Sequence, residues 1–341
     1  MTNASRAALA LTVAVPLSIV LACLPGPAPI PAREALTILA SGLGLASPPS
    51  DPALATVVLG IRASRAVLAY AVGAGLALAG TAFQGILRNP LADPFTLGVS
   101  TGAAFGASLA LALGLSAPAV LPLADPLPFF GLLGALAALL AVLALARSGR
   151  ELRRETLVLA GVVTATFLSA CIALLKALDE SSVSGIVFWI MGSFQGRGWG
   201  HVLVYLPYLA LGSTIILAQA RELDLLSLGS AQARLLGLNA DRSRLLLLVA
   251  ASLLSGAAVA VSGVIGFVGL VVPHLVRRIQ GAEHGPLALN AALLGGLLLL
   301  WSDVLARTLL PGGVELPVGV LTALLGGPFF CLLLKRRAEA A

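Results

Sequence analysis

Nothing restricts this chain more than the grouping of its apolar residues. Stretches of about twenty follow one another from end to end, parted only by short breaks of Pro, Gly and charge. A helix needs roughly that many residues to cross a ~30 Å hydrocarbon core, at ~1.5 Å per residue. Of the 341 residues 59% are hydrophobic and 11% charged, and the mean hydropathy of +1.02 lies far outside the soluble globular range. The sequence therefore predicts an all-α integral membrane protein. It forms one domain over 1–341, with no room for a separate soluble domain.

Reading the apolar runs against their breaks gives ten predicted spans. They lie near 7–24, 63–87, 93–114, 126–147, 155–178, 199–220, 242–261, 263–278, 287–308 and 315–335. Two further stretches, 33–44 and 184–194, read as short helices lying at one surface. The first span resembles a signal peptide, even a lipoprotein signal ending at Cys23, but Leu21 suits such a cleavage site poorly. It is read as an uncleaved helix. Cys23, Cys171 and Cys331 are far apart in apolar stretches and read as small apolar side chains, with no metal-ligand spacing.

The formal charge of +6 does not point to nucleic acid, because the basic residues sit at the ends of apolar runs. With the N-terminus inside, the inner face holds Arg6, Arg88, Arg147/Arg150/Arg153/Arg154, Arg221/Arg234/Arg242/Arg244, Arg277/Arg278 and Lys335/Arg336/Arg337. Six basic residues remain outside: Arg33, Arg62, Arg65, Lys176, Arg197 and Arg307. That asymmetry fixes the predicted orientation, with both termini cytoplasmic.

One span is oddly short. "GFVGLVVPHLVRR" (266–278) belongs to a segment that starts below the surface after Gly263 and ends on two arginines. Pro273 removes a backbone donor within it, so a neighbouring helix must satisfy the freed carbonyl. His274, alone beside a basic terminus, reads as an interfacial polar residue.

Several energy sources are disfavoured by the residues present. There are two lysines, Lys176 and Lys335, and neither follows a phosphate-binding G-x-x-x-x-G, so this chain alone carries no P-loop. Asp93, Glu155, Asp303 and Glu315 lie at or towards span ends, whereas ion-coupled carriers bury carboxylates mid-span. Asp303 and Arg307, four apart on one helical face, read as a structural pair. An ion-coupled carrier or channel acting alone stays open as an alternative. Residues 221–244 form the longest inner connection, amphipathic and jointed at Gly229 and Gly237. They read either as a linker lying on lipid or as the docking element of a cytoplasmic motor.

Four motifs then carry a resemblance: "GAGLALAGTAFQGILRNPLADPFTLGVSTGAAFGA" (73–107), "LGSAQARLLGLN" (228–239), "SGVIGFVGLVVPHLVR" (262–277) and "ELPVGVLTALLGGPFF" (315–330). In this order, and over essentially the whole chain, the sequence resembles the FecCD-type permeases of ABC importers for iron–siderophore complexes, haem and cobalamin. The resemblance implies a bacterial inner-membrane homodimer of ten helices per subunit. Two cytoplasmic ATP-binding subunits lie below it, and a periplasmic or lipid-anchored binding protein delivers cargo from above. It implies no cofactor, no metal and no enzymatic activity of the chain itself. Asn89, Pro90 and Leu91 match the family's inner gate. Leu228, Gly229, Ala233, Leu236 and Gly237 fall in the coupling segment, 222–240. Arg62, Arg65 and Arg307 match arginines that hold acidic residues of the binding protein. A second gate segment falls at Arg153-Arg154-Glu155-Thr156, which departs from the small hydroxylated residues usual there. Small residues at helical spacing (Gly73, Gly75, Ala77, Ala79, Gly80; Gly102, Gly106, Ala110) are predicted to let helices pack closely in lipid.

Overall fold

The computed structural model describes residues 3–115 apart from 48 and 50, then 126–148, 151–152 and 154–338. Arg150 and Arg153, assigned to the inner cluster, lie outside these residues.

Every predicted span is helical. In chain order the helices are α1 (Asn3–Ala22), α2 (Ala32–Gly42), α3 (Pro52–Ala55), α4 (Ser64–Leu87) and α5 (Val99–Ala112). They continue as α6 (Leu127–Ala146), α7 (Arg154–Leu178), α8 (Val183–Ile190), α9 (Trp199–Ala218) and α10 (Ala220–Leu228). The last five are α11 (Ser230–Leu235), α12 (Ala240–Ser262), α13 (Val268–Gln280), α14 (His284–Thr308) and α15 (Val318–Ala338). Arg147–Ser148 and Glu151–Leu152 form a two-residue antiparallel ladder between α6 and α7.

Among the described residues seven helices are long and apolar enough to cross a bilayer: 4–22, 52–87, 127–146, 154–178, 199–218, 240–262 and 284–308. The other three predicted spans fold around α5, α13 and α15, of which α5 and α13 have only 14 and 13 residues. Several boundaries differ from the sequence reading, among them that of the third span, whose helix α5 begins at Val99 instead of near 93. The second span begins eleven residues early, because the π-helical stretch Thr56–Ala63 joins α3 to α4 into one rod, Pro52–Leu87. In the eighth predicted span the helix, α13, begins only at Val268, after an extended stretch that follows Gly263.

α4 is the axis of the fold. Nearly all of its residues are buried, walled in by α9, α12, α13 and α14. The second layer, α5, α6 and α7, joins this core through α12. Burial of α4 depends on its lack of bulk: a methyl at Gly73 would run into the Gly295 carbonyl of α14, and one at Gly80 into the Gly269 carbonyl of α13. The same device seats α5 on α6, where Gly102 and Gly134 each meet the other's carbonyl. In lipid, such close approach supplies the dispersion contacts that replace a hydrophobic drive between helices. The unburied face of α1, with Leu9, Val13 and Leu17 about 60% exposed, shows what these helices offer to acyl chains.

Candidate functional site

At the predicted inner end, α4 stops at Arg88, whose left-handed φ of 48° turns the chain sharply. The N–H groups of Arg88 and Asn89 close on the Gly85 and Gln84 carbonyls, at 3.3 and 3.2 Å. Asn89 Oδ1 then accepts from the Leu91 N–H at 3.0 Å, and Asp93 Oδ1 accepts from those of Phe95 and Thr96 at 3.0 and 3.1 Å. Pro90 and Pro94 stiffen what lies between. The assigned gate residues Asn89, Pro90 and Leu91 thus sit on a pinned turn, Asn89 exposed and the other two half-buried. In the second gate segment, Arg153 lies outside the described residues, while Arg154–Thr156 open α7.

The short helix α13 is clipped to α4 beside this turn. Pro273 cannot donate to the Gly269 carbonyl four residues earlier. Gln84 Nε2 on α4 donates there instead, at 3.3 Å, and also to Leu270 at 3.4 Å. The other end of the same amide, Oε1, accepts from Arg277 at 3.1 Å. One buried glutamine therefore repairs the proline gap and holds the basic end of the helix.

The coupling segment folds as two short helices, α10 and α11, separated by Gly229 at φ 115°. Gly237, at φ 85°, ends α11, with Leu238 N–H returning to the Ala233 carbonyl at 3.0 Å. Asn239 caps α12 through the Arg242 N–H, 3.1 Å away. The assigned residues do not share one surface. Ala233 is fully buried, whereas Leu228 and Leu236 are 51% and 61% exposed, and the neighbouring Leu235 reaches 87%. Of the assigned coupling residues, Ala233 thus faces inward, while Leu228 and Leu236 are exposed.

The three arginines assigned to docking depart further from expectation. Arg62, Arg65 and Arg307 are all buried, at 3%, 6% and 4% exposure. Arg65 grips Asp303 with two nitrogens at 2.9 Å and Glu315 with a third at 2.7 Å. Arg307 Nε lies 3.6 Å from Asp303, the i,i+4 pair read from the sequence, and its Nη2 donates to the Ala22 carbonyl. Arg62 donates to the carbonyls of Cys23, at 3.2 Å, Leu24, at 2.6 Å, and Ala28. Within this chain the three guanidinium groups are thus turned inward, away from the exposed position read from the sequence. Arginine beside helix-end carbonyls and carboxylates is drawn inward, because those groups need donors in a dry environment.

A model of the FecCD transport family matches residues 12–336. The chain belongs to the FecCD transport family. Among FecCD relatives, it is 44% identical over 297 residues to the uncharacterized ABC transporter permease protein YvrB of Bacillus subtilis, covering 87% of this chain and 83% of that one. It is 43% identical over 295 residues to the hemin transport system permease protein HmuU of Yersinia pestis, covering 85% and 86%. Other relatives carry names for cobalamin, iron(III) dicitrate and molybdate import. A metal-chelate type ABC transporter solved in an inward-facing conformation superposes with a TM-score of 0.83 at 34% identity, covering 97% of this chain and 99% of that one.

Four functional candidates in this FecCD chain escaped sequence reasoning: Gln84, Glu315, Asp224 and His284. Asp224 Oδ1 lies 2.6 Å from His284 Nδ1 and 3.0 Å from its backbone nitrogen, joining the coupling segment to α14. Sixty positions separate the two residues, so no local spacing signals the pair. The one available hint was Gln84, a lone amide inside an otherwise apolar span facing a proline-interrupted one. Among the described residues, no group of three or more His, Cys, Asp or Glu is placed to hold a metal ion.

Proposed function

We infer that this chain is the membrane-spanning subunit of an ABC importer that passes a metal chelate across the bacterial inner membrane by alternating access. Two copies enclose the pathway, each crossing the membrane ten times with both termini in the cytoplasm, and two separate ATPase subunits drive them. The observation that carries this reading is the exposure of Leu228, Leu235 and Leu236. They stand on a glycine-jointed segment at the same end as the turn 88–93. Exposed leucines beside charges, in a chain without a nucleotide site, suit a groove on a partner better than solvent.

A periplasmic or lipid-anchored binding protein delivers the cargo. Arg62, Arg65 and Arg307 serve that docking indirectly, by fixing the loops around 24–28 and 315 that form the outer surface. Iron–siderophore is the first cargo, with haem or cobalamin next; relatives carry names for iron(III) citrate, hemin and cobalamin import. Proteoliposomes decide the reading. Uptake that requires ATP, an ATPase subunit and a binding protein is expected. Uptake driven by an ion gradient with no ATPase present would replace it with an ion-coupled carrier.

A further inference from the structure

α14 begins without a cap of its own, since the Glu283 side chain makes no bond to the helix's first N–H groups. The cap comes from another element. Asp224 of α10 accepts from the His284 backbone N–H and from the His284 ring with the same oxygen, at 3.0 and 2.6 Å. A carboxylate at a helix N-terminus is favoured by the free N–H groups and the helix dipole. Because an ionised carboxylate only accepts, Nδ1 carries the proton, and the imidazole is held in one orientation.

The opposite edge of that ring rests on the last turn of α4. A methyl built at Gly85 would lie 2.9 Å from His284 Nε2 and 2.9 Å from Leu223 Cδ2. Only a glycine lets the coupling segment and the ring sit so close. Gly85 in turn supplies the carbonyl that accepts the Arg88 N–H at 3.3 Å, the bond that starts the turn carrying Asn89 and Leu91. The Arg88 side chain returns to the joint of the coupling segment, 3.3 Å from where a Gly229 methyl would stand. α10, His284 and the root of the turn are therefore closely packed against one another.

We propose that His284 is a positioning residue, a rigid wedge that transmits displacement of α10 to the 88–93 turn, with Asp224 holding it in place. Packed side chains with no space to yield pass a shift on instead of absorbing it. The proposal rests on the importer reading above.

The test uses the complex of this chain with its ATPase subunits in lipid nanodiscs. The parent carries Leu91→Cys, Cys171→Ala and Cys331→Ser, with a spin label at position 91 of both copies. Electron–electron distance measurements with and without ATP report gate movement without knowledge of the cargo. His284→Ala leaves Asp224 capping the α14 backbone and removes only the wedge. It is expected to keep ATP hydrolysis within twofold of the parent while shrinking the ATP-dependent distance change at least fivefold. Asp224→Ala, which also removes the cap, should do the same with lower thermal stability. Trp301→Phe, which breaks an α14 bond to Ser18 far from this junction, should leave the change intact. A full distance change in His284→Ala, or hydrolysis and movement falling together, overturns the wedge. A parent that neither binds ATPase subunits nor moves with ATP would instead remove the importer reading.

Discussion

Arg65 and Asp303 meet as a fork on a fork, Nε to Oδ2 and Nη2 to Oδ1, each 2.9 Å, across 238 positions of sequence. Asp303 is wholly buried, and the neighbouring Arg307 and Glu315 bring the group to two positive and two negative charges. A balanced buried cluster tolerates burial, but a cluster missing one member leaves an uncompensated charge. Asp303→Ala should thus cost about 3–5 kcal/mol, read as a lower unfolding midpoint in detergent. Arg65→Lys should also destabilise, since an ammonium cannot reproduce the two-point grip.

A substitution at the crossing of α4 and α13 acts through bulk alone. Gly80→Ala drives a methyl into the Gly269 carbonyl, which is backbone and cannot rotate away. Overpacking of this kind costs about 1–3 kcal/mol. Gly60→Ala meets only the Thr56 methyl at 3.7 Å, ordinary contact, and should be neutral or slightly stabilising. Thermal midpoints of the two variants beside the parent check the contrast.

Gln84 and Pro273 should be energetically linked although they are not bonded to each other. Gln84→Leu strands the Gly269 carbonyl, a loss of about 1–3 kcal/mol. Pro273→Ala restores the N–H that this carbonyl lacks. In the Pro273→Ala background, Gln84→Leu should therefore cost less than in the parent. A four-protein stability cycle giving strictly additive losses would show that Gln84 acts only through Arg277.

The exposed leucines offer a cleaner probe of partner binding than the buried alanine. Leu235→Glu with Leu236→Glu should leave the fold unchanged and weaken ATPase-subunit association at least tenfold, measured by co-purification. Ala233→Asp, placing a charge in the interior, should instead reduce the yield of folded protein. Loss of association in both with equal yields would mean that α11 has no inward face.

How far the sequence reveals this depends on the range of each signal. The length of an apolar run is a local property, so the long apolar runs emerge as helices, seven of spanning length among the described residues, and the glycine spacing of α4 is legible as close packing. The direction of an arginine is not local. Arg62, Arg65 and Arg307 read as surface charges because most of their partners are distant in sequence, and those at Ala22, Cys23, Leu24 and Ala28 are bare carbonyls. Asp303–Arg307 was readable because four residues make one helical turn. The early start of the second span stayed hidden because a π-helical stretch has no composition of its own. The burial of Ala233 is not legible because a six-residue helix is too short for its apolar period to declare a face.

The carbonyls that end α1 bear on how the protein is made. Ala22, Cys23 and Leu24 leave the ribosome early, with no donors of their own for those oxygens. Arg62 arrives within some forty residues, but Arg307 follows Ala22 by 285 positions. At a synthesis rate of about 5–20 residues per second, that interval is about 15–60 s. For that time the first helix sits in the bilayer with one carbonyl waiting for a guanidinium not yet translated. The end of the first helix is thus fastened in two stages, early by Arg62 and last by Arg307, and a chain truncated before α14 would lack the second.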